Sequence, residues 1–297
     1  MAPVRFGRVL TAMVTPFDDD GSLDVDGAVA LARWLIDHGN DGLVLAGTTG
    51  EAPTLTDDEK VELWTAVRAA VDAPLIAGTG TNDTRHTCEL SARAAATGVD
   101  GLLVVTPYYN RPSQAGIEAH FRAVAAATDR PVVMYDIPGR SGRKIATDVL
   151  VRLANEVPTI VGIKDAAGNP GETARVLAAA PDDFNVWSGD DPMTLPLLAV
   201  GAVGVIGTAT HWCAEVMTEL VASFTKGDHD RSQELNASLF DSYAYESREI
   251  AQFALAVKVA LRLLGQPAGP CRLPIGPEPE GLEDDARRML QGLGLLG

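Results

Sequence analysis

Short runs of β-branched and aliphatic residues recur along the first two-thirds of this chain, and an alanine-rich amphipathic stretch follows nearly every one. A strand buried on both faces reads as a continuous apolar run, whereas a helix covering a sheet reads with period 3.6. The alternation therefore marks βα units and a parallel sheet. The runs are Val9–Val14, Gly42–Ala46, Pro74–Ala77, Gly101–Val105, Val132–Tyr135, Ile160–Ile163, Asn185–Trp187 and Val203–Ile206. Eight such strands predict an α/β fold, the closed (β/α)8 TIM barrel. Between them the spacing predicts helices at Val25–His38, Asp57–Val71, Thr84–Thr97, Gln114–Thr128, Thr147–Asn155, Pro170–Ala179 and Asp191–Val200. Thr56-Asp57-Asp58-Glu59 has the form of a capping box, and Asn169-Pro170 puts proline at a first helical position.

After Ile206 the alternation stops. Ala214–Lys226, His229–Tyr245, Glu249–Leu264 and Glu283–Gln291 read as helices, with a Pro/Gly-rich stretch over 265–279. The expected organisation is a catalytic barrel over residues 1–208 and a C-terminal helical region over 209–297. That region should pack on the barrel, because helices standing alone would leave apolar faces in water.

Composition removes several functional classes. A net charge of −16 argues against a nucleic acid or an anionic membrane as partner. No apolar run approaches the ~20 residues of a spanning helix, and no secretory leader pattern opens the chain. Cys88, Cys213 and Cys271 are odd in number and far apart, which predicts no disulfide framework and fits a reducing cytoplasm. Five histidines without His-x-x-x-His spacing disfavour a metal-dependent aldolase, so neither a metal nor another cofactor is expected.

In a (β/α)8 barrel the chemistry gathers where strands end. Strand 6 ends in Ile163-Lys164-Asp165, and Lys164 is one of only five lysines in the chain. Burial disfavours an ammonium, and a lysine moved from its reference pKa of ~10.4 to ~7–8 offers the neutral amine that attacks a carbonyl. The alternative is an ammonium that reaches water or pairs with Asp165. The neighbouring strand ends decide between them: Gly47-Thr48-Thr49-Gly50-Glu51, Thr106-Pro107-Tyr108-Tyr109-Asn110, Tyr135-Asp136-Ile137-Pro138-Gly139-Arg140 and Ser188-Gly189-Asp190-Asp191. Each has a structural reading by itself, but together they gather an amine, phenols, hydroxyls and a guanidinium at one mouth. Lys164 would form an imine with a keto acid and Tyr135 would exchange protons with it. Thr48 and Thr49 would donate to a carboxylate, and Arg140 would fork onto a second one.

These motifs, with Val105–Pro112 and the opening Thr11–Phe17, resemble the dihydrodipicolinate synthase (4-hydroxy-tetrahydrodipicolinate synthase) family of pyruvate Schiff-base aldolases, from about residue 6 to 275. The double threonine and the arginine after Ile-Pro-Gly separate the pattern from the sialic acid lyases. The resemblance implies condensation of pyruvate with aspartate 4-semialdehyde on the route to lysine and diaminopimelate. It implies Lys164 as the imine-forming residue, Tyr135 as proton donor and acceptor, and Thr49 and Tyr109 as the rest of a proton relay. Thr48 and Thr49 would hold the pyruvate carboxylate, Ile206 would line the pocket through its backbone, Gly189 would shape the floor, and Arg140 would take the semialdehyde carboxylate. In that family the tyrosine at position 109 reaches the neighbouring subunit's site, which implies a homo-oligomer, a dimer at least, with a tetramer as the family expectation.

Two departures stand out. Ile206-Gly207-Thr208 replaces the Ile-Ser-Val that the family often carries after strand 8. Lys60 and His86 stand where lysine-sensitive members carry a histidine and a glutamate, and a cation in place of that anion implies weak or absent feedback by lysine. Two other readings stay open: a pyruvate-dependent class I aldolase for a keto-deoxy sugar acid or hydroxy-oxo acid, and a catalytically silent barrel that binds a keto acid.

Overall fold

The computed structural model of the protein describes residues 4–247 and 251–297. The strands are β1 (Val9–Ala12), β2 (Gly42–Leu45), β3 (Leu75–Gly78), β4 (Gly101–Val105), β5 (Val132–Asp136), β6 (Ile160–Asp165), β7 (Asn185–Ser188) and β8 (Gly204–Gly207). In chain order they make one closed barrel. Nearly every strand residue is buried on whichever face it points to, which is why the strands read as unbroken apolar runs. Between them lie α1 (Val25–Asp37), α2 (Asp57–Ala70), α3 (Thr84–Ala96), α4 (Gln114–Ala126), α5 (Pro138–Ser141), α6 (Thr147–Glu156), α7 (Pro170–Ala179) and α8 (Thr194–Ala199). After β8 come α9 (Thr210–Lys226), α10 (His229–Ser238), α11 (Phe240–Glu246), α12 (Phe253–Leu263) and α13 (Leu282–Gly292).

Several boundaries differ from expectation. The stretch Asp191–Val200 splits into a 3₁₀ turn over Asp191–Met193 and the short α8. Pro192 and Pro196 lack the N–H groups a longer helix would need there. The predicted helix His229–Tyr245 breaks at Leu239 into α10 and α11. Helix α9 begins at Thr210 and carries a kink at Cys213, whose φ/ψ of −124°/20° is not helical; the apolar period becomes regular only beyond the kink. The predicted helix Glu249–Leu264 begins on residues that lie outside the described ones, and α12 is described from Phe253. The capping box at Thr56 is present in both directions, Thr56 N–H donating to Glu59 Oε2 at 2.7 Å and Glu59 N–H to Thr56 Oγ1 at 3.2 Å.

By contact density the chain forms two compact units. One holds residues 4–8 and 74–206, and with them the parallel ladder from β3 to β8. Its N-terminal segment closes the starting ends of the late strands. Arg5 N–H donates to Asn185 Oδ1 at 3.0 Å, Trp187 Nε1 donates to Gly7 O at 2.9 Å, and Val205 N–H donates to Arg8 O at 2.7 Å. Phe6 packs against Trp187 with ring centroids 6.1 Å apart.

The other unit holds residues 9–73 and 207–297, with β1 paired to β2 and the helices that follow β8. Here α9 is tied to β1 through buried polar side chains. Thr11 Oγ1 donates to Asn40 Oδ1 at 2.5 Å and lies 2.8 Å from Thr210 Oγ1, while Asn40 Nδ2 donates to Leu35 O and Thr210 O.

Position 204 tests the closure by the N-terminal segment. A Cβ there would lie 1.8 Å from Arg8 O, a backbone atom that cannot swing away. Gly204→Ala should lower stability by about 1–3 kcal/mol, the range for overpacking. Gly139→Ala, with nothing within 4 Å of its Cβ, should leave the midpoint near wild type in urea unfolding followed by circular dichroism.

Candidate active site

In the first unit the site is built on neighbouring strands. Parallel pairing puts Tyr135 of β5 opposite Lys164 of β6, and Asp136 opposite Asp165. Successive side chains on a strand face opposite sides, so the amine and the phenol share one face while the two carboxylates share the other. Lys164 is 5% exposed and Tyr135 4%. The Lys164 ammonium nitrogen lies 4.7 Å from the centroid of the Tyr135 ring. Asp165 is turned to the outer layer, where Oδ1 accepts from Ala167 N–H at 2.9 Å and Oδ2 accepts from Thr173 Oγ1 at 2.6 Å.

Gly189, just beyond β7, completes the surroundings of the lysine. A Cβ at this position would lie 2.8 Å from Lys164 Cγ and 3.0 Å from its Cε. Only a residue without a side chain leaves the lysine stem its present path. The next residue, Asp190, has its carboxyl pKa raised by partial desolvation, and the Lys164 charge opposes that rise. Asp190 is thus an electrostatic neighbour of the amine to which the sequence reading gave no role. Ile206 on β8 is fully buried.

Arg140 sits on the single-turn helix α5, which Pro138 opens and Gly142 closes at a φ of 72°. Desolvation lowers its pKa, and Tyr135 opposes the shift, so guanidinium and phenol are within electrostatic reach. The carbonyl of Tyr135 accepts from Thr106 N–H at 2.9 Å and from Thr106 Oγ1 at 3.1 Å, which fixes the end of β5 to the loop after β4. That loop carries Tyr109 at a φ of 71° and 90% exposed. A left-handed backbone at a bulky residue costs about 1–2 kcal/mol. Asn110 Nδ2 holds the loop by donating to Asn82 O at 2.8 Å.

Behind the Tyr135–Lys164 pair lies a carboxylate cluster that the sequence reading did not single out. Burial pushes the Asp136 carboxyl up to about 7, against the opposing Ile145 N–H and Lys144 charge. Lys144 Nζ stands 3.9 Å from Asp136 Oδ2 and 2.6 Å from Glu172 Oε2. The sequence signal was an aspartate inside an apolar strand, the same kind of misfit that drew attention to Lys164.

In the second unit, Thr48 and Thr49 lie on the turn after β2, Thr49 2% exposed and Thr48 half-buried. The turn is closed by Glu51 N–H to Thr48 O and Ala52 N–H to Gly47 O, both at 3.2 Å. Two non-glycine residues, Ala46 and Glu51, hold φ of 53° and 56°. At Gly50 a Cβ would sit 2.9 Å from Met13 O, so a side chain there would push the turn off β1. Among the described residues no group of three or more His, Cys, Asp or Glu side chains is placed to hold a metal ion.

Comparison with known proteins shows the family. The sequence profile of the Dihydrodipicolinate synthetase family matches residues 5–292. A 4-hydroxy-tetrahydrodipicolinate synthase of Acidothermus cellulolyticus is 53% identical over 277 residues, spanning 93% of this chain and 88% of the relative. One of Moorella thermoacetica is 50% identical over 274 residues, spanning 92% and 93%. The solved structure of the dihydrodipicolinate synthase from Cyanidioschyzon merolae with lysine bound superposes with a TM-score of 0.95 at 39% identity, covering 98% of this chain and 99% of that one. With its barrel and nearly its whole length shared in this way, the chain belongs to the dihydrodipicolinate synthetase family.

Proposed function

We propose that this chain condenses pyruvate with aspartate 4-semialdehyde through an imine on Lys164, giving 4-hydroxy-tetrahydrodipicolinate. The observation that carries the reading is the buried Lys164 amine, held beside the Tyr135 ring with Gly189 clearing its stem. Only the neutral amine is nucleophilic, and burial favours that form. Attack on the pyruvate ketone gives a carbinolamine, which loses water to the imine. Removal of a methyl proton then gives the enamine that adds to the aldehyde. The amino group of the semialdehyde attacks the resulting imine carbon, closing the ring and releasing Lys164 as the free amine. Each of these steps moves a proton, and Tyr135 is the donor and acceptor at the amine.

Family membership supports the remaining assignments. Thr49 and Tyr109 extend the proton relay from Tyr135, and Thr48 and Thr49 hold the pyruvate carboxylate. Ile206 lines the pocket through its backbone and Gly189 forms the floor. Arg140 receives the semialdehyde carboxylate, and its electrostatic contact with Tyr135 supports this placement. Tyr109, held in a left-handed backbone and pointing its ring at solvent, completes the site of a second copy, so the working form is a dimer at least.

Borohydride treatment with pyruvate should leave a reduced pyruvate adduct on Lys164 by mass spectrometry. Lys164→Ala should show no adduct and no turnover in a coupled assay. An adduct elsewhere would remove the basis of this reading. Gly189→Ala, which displaces the lysine stem, should slow adduct formation roughly 10²-fold, the usual penalty for a misplaced reacting group, without loss of fold.

Arg140→Ala should cut kcat/KM for the semialdehyde by about 10–100-fold, as expected for a lost charged hydrogen bond. Its rate of pyruvate imine formation should stay near wild type.

Lys60 is buried and pairs with Asp57 at 3.6 Å, and His86 replaces the carboxylate of lysine-sensitive members. Turnover should therefore persist at full rate in millimolar lysine; strong inhibition in an initial-rate assay would contradict the assignment of these two positions.

A further inference from the structure

The second unit contains a charge pair that the proposed reaction does not use. Lys258 on α12 and Glu51 at the end of the turn after β2 are both fully buried, with Lys258 Nζ 2.7 Å from Glu51 Oε1. The same ammonium donates to Pro270 O at 2.7 Å and lies 4.2 Å from the centroid of the Phe17 ring. Desolvation lowers the Lys258 pKa, and the Glu51 charge opposes that shift. Cys271 beside the pair keeps its proton, because burial pushes its thiol up to about 12.

The other carboxylate oxygen of Glu51 accepts from Arg272 N–H at 2.9 Å. Arg272 itself is anchored on the opposite side of the segment: it donates to Thr54 O and Gly21 O at 2.8 Å, pairs with Glu59 at 2.5 Å, and stacks over Phe17 at 4.1 Å. One carboxylate therefore joins α12, the 270–272 segment and the Thr48–Thr49 turn. Its own backbone lies at a φ of 56°, a region that glutamate adopts only when its surroundings require it. Glu51 N–H is also the donor that closes the turn on Thr48 O. Glu51 thus links the buried pair to the turn: its side chain meets Lys258 and Arg272, and its backbone N–H holds Thr48 O.

We propose that Glu51 and Lys258 are positioning residues for pyruvate: the buried pair locks the threonine turn from below, so that the helices after the barrel govern keto-acid binding. The inference rests on the reading that Thr48 and Thr49 hold the pyruvate carboxylate. A buried pair of this kind contributes little net stability against an apolar replacement, whereas removing one partner strands a charge. That asymmetry separates positioning from a merely structural role.

The experiment compares Lys258→Met, the double variant Glu51→Gln/Lys258→Met, and Thr48→Val, measuring pyruvate KM, kcat and the thermal midpoint. Lys258→Met should lower the midpoint and raise pyruvate KM at least tenfold, with kcat changed less than threefold. The double variant, with no stranded charge, should regain most of the midpoint while its KM stays at least tenfold high. A double variant with wild-type KM would overturn the proposal, and so would one that does not fold, since the pair would then belong to the core alone. Thr48→Val should raise pyruvate KM by a similar factor. If it leaves KM unchanged, the carboxylate assignment fails at its root; if it raises KM while the double variant does not, only the role of Glu51 and Lys258 falls.

Discussion

The register between β5 and β6 is the constraint on which the chemistry depends. Tyr135 meets Lys164 and Asp136 meets Asp165 because the two strands pair in parallel at that offset. A slip of one residue on either strand would carry its whole set of side chains to the opposite face. The amine would then face the helix layer and a carboxylate would enter the barrel. What opposes this is the engagement of the outer carboxylates. Asp165 is held by Ala167 and Thr173, and Asp136 by Ile145 N–H at 3.2 Å with Lys144 nearby. The polar groups outside the barrel therefore help fix which polar groups stand inside it.

Two lysines sit in apolar runs and meet different environments. In α12 the run Phe253–Leu263 encloses Lys258, and in β6 the run from Ile160 encloses Lys164. Lys258 faces a carboxylate at 2.7 Å and a carbonyl at the same distance, partners that oppose the burial lowering its pKa. Lys164 lies against a phenol ring with Asp190 as an electrostatic neighbour, while the carboxylate of Asp165 is turned away. From the sequence the two look alike, since each is a cation in a buried segment. They are told apart by the partners that tertiary structure brings, and those partners are far off in the chain.

This explains how much was legible beforehand. The eight strands fall within a residue or two of the apolar runs, because a strand buried on both faces writes itself into the sequence without help from its neighbours. The strand-end residues followed from the fold, since a barrel has one face where strands end. The C-terminal helices were found in place but not in extent. The interruption at Leu239 and the kink at Cys213 fall on residues that are neither proline nor glycine, so no helix-breaking residue marks them in the sequence. Helix α5, a single turn, is too short to show a period. The pairing of Glu51 with Lys258 could not be read, because 207 positions of chain separate them and neither sits in a motif that names the other.

Just after Ile206-Gly207-Thr208, in the second unit, one histidine joins two segments of backbone. Thr208 O faces His211 Nδ1 at 2.7 Å, while His211 Nε2 accepts from Val14 N–H at 3.1 Å. A ring that accepts from a backbone N–H at Nε2 must carry its proton on Nδ1, where a carbonyl is waiting, so its partners define the tautomer. Complete burial lowers the His211 pKa to about 4, and the neutral ring persists throughout the neutral range. Protonation would place a donor against the Val14 N–H and strand a charge in the core. One imidazole thus ties the start of α9 to the chain leaving β1, and Met13, one residue before Val14, is the carbonyl against which Gly50 is pressed. The turn that carries the paired threonines is consequently backed on one side by β1, held there by a histidine, and on the other by the carboxylate that answers Lys258. The hydroxyls it presents belong to the loop after β2, and Glu51 beside them meets a lysine of α12.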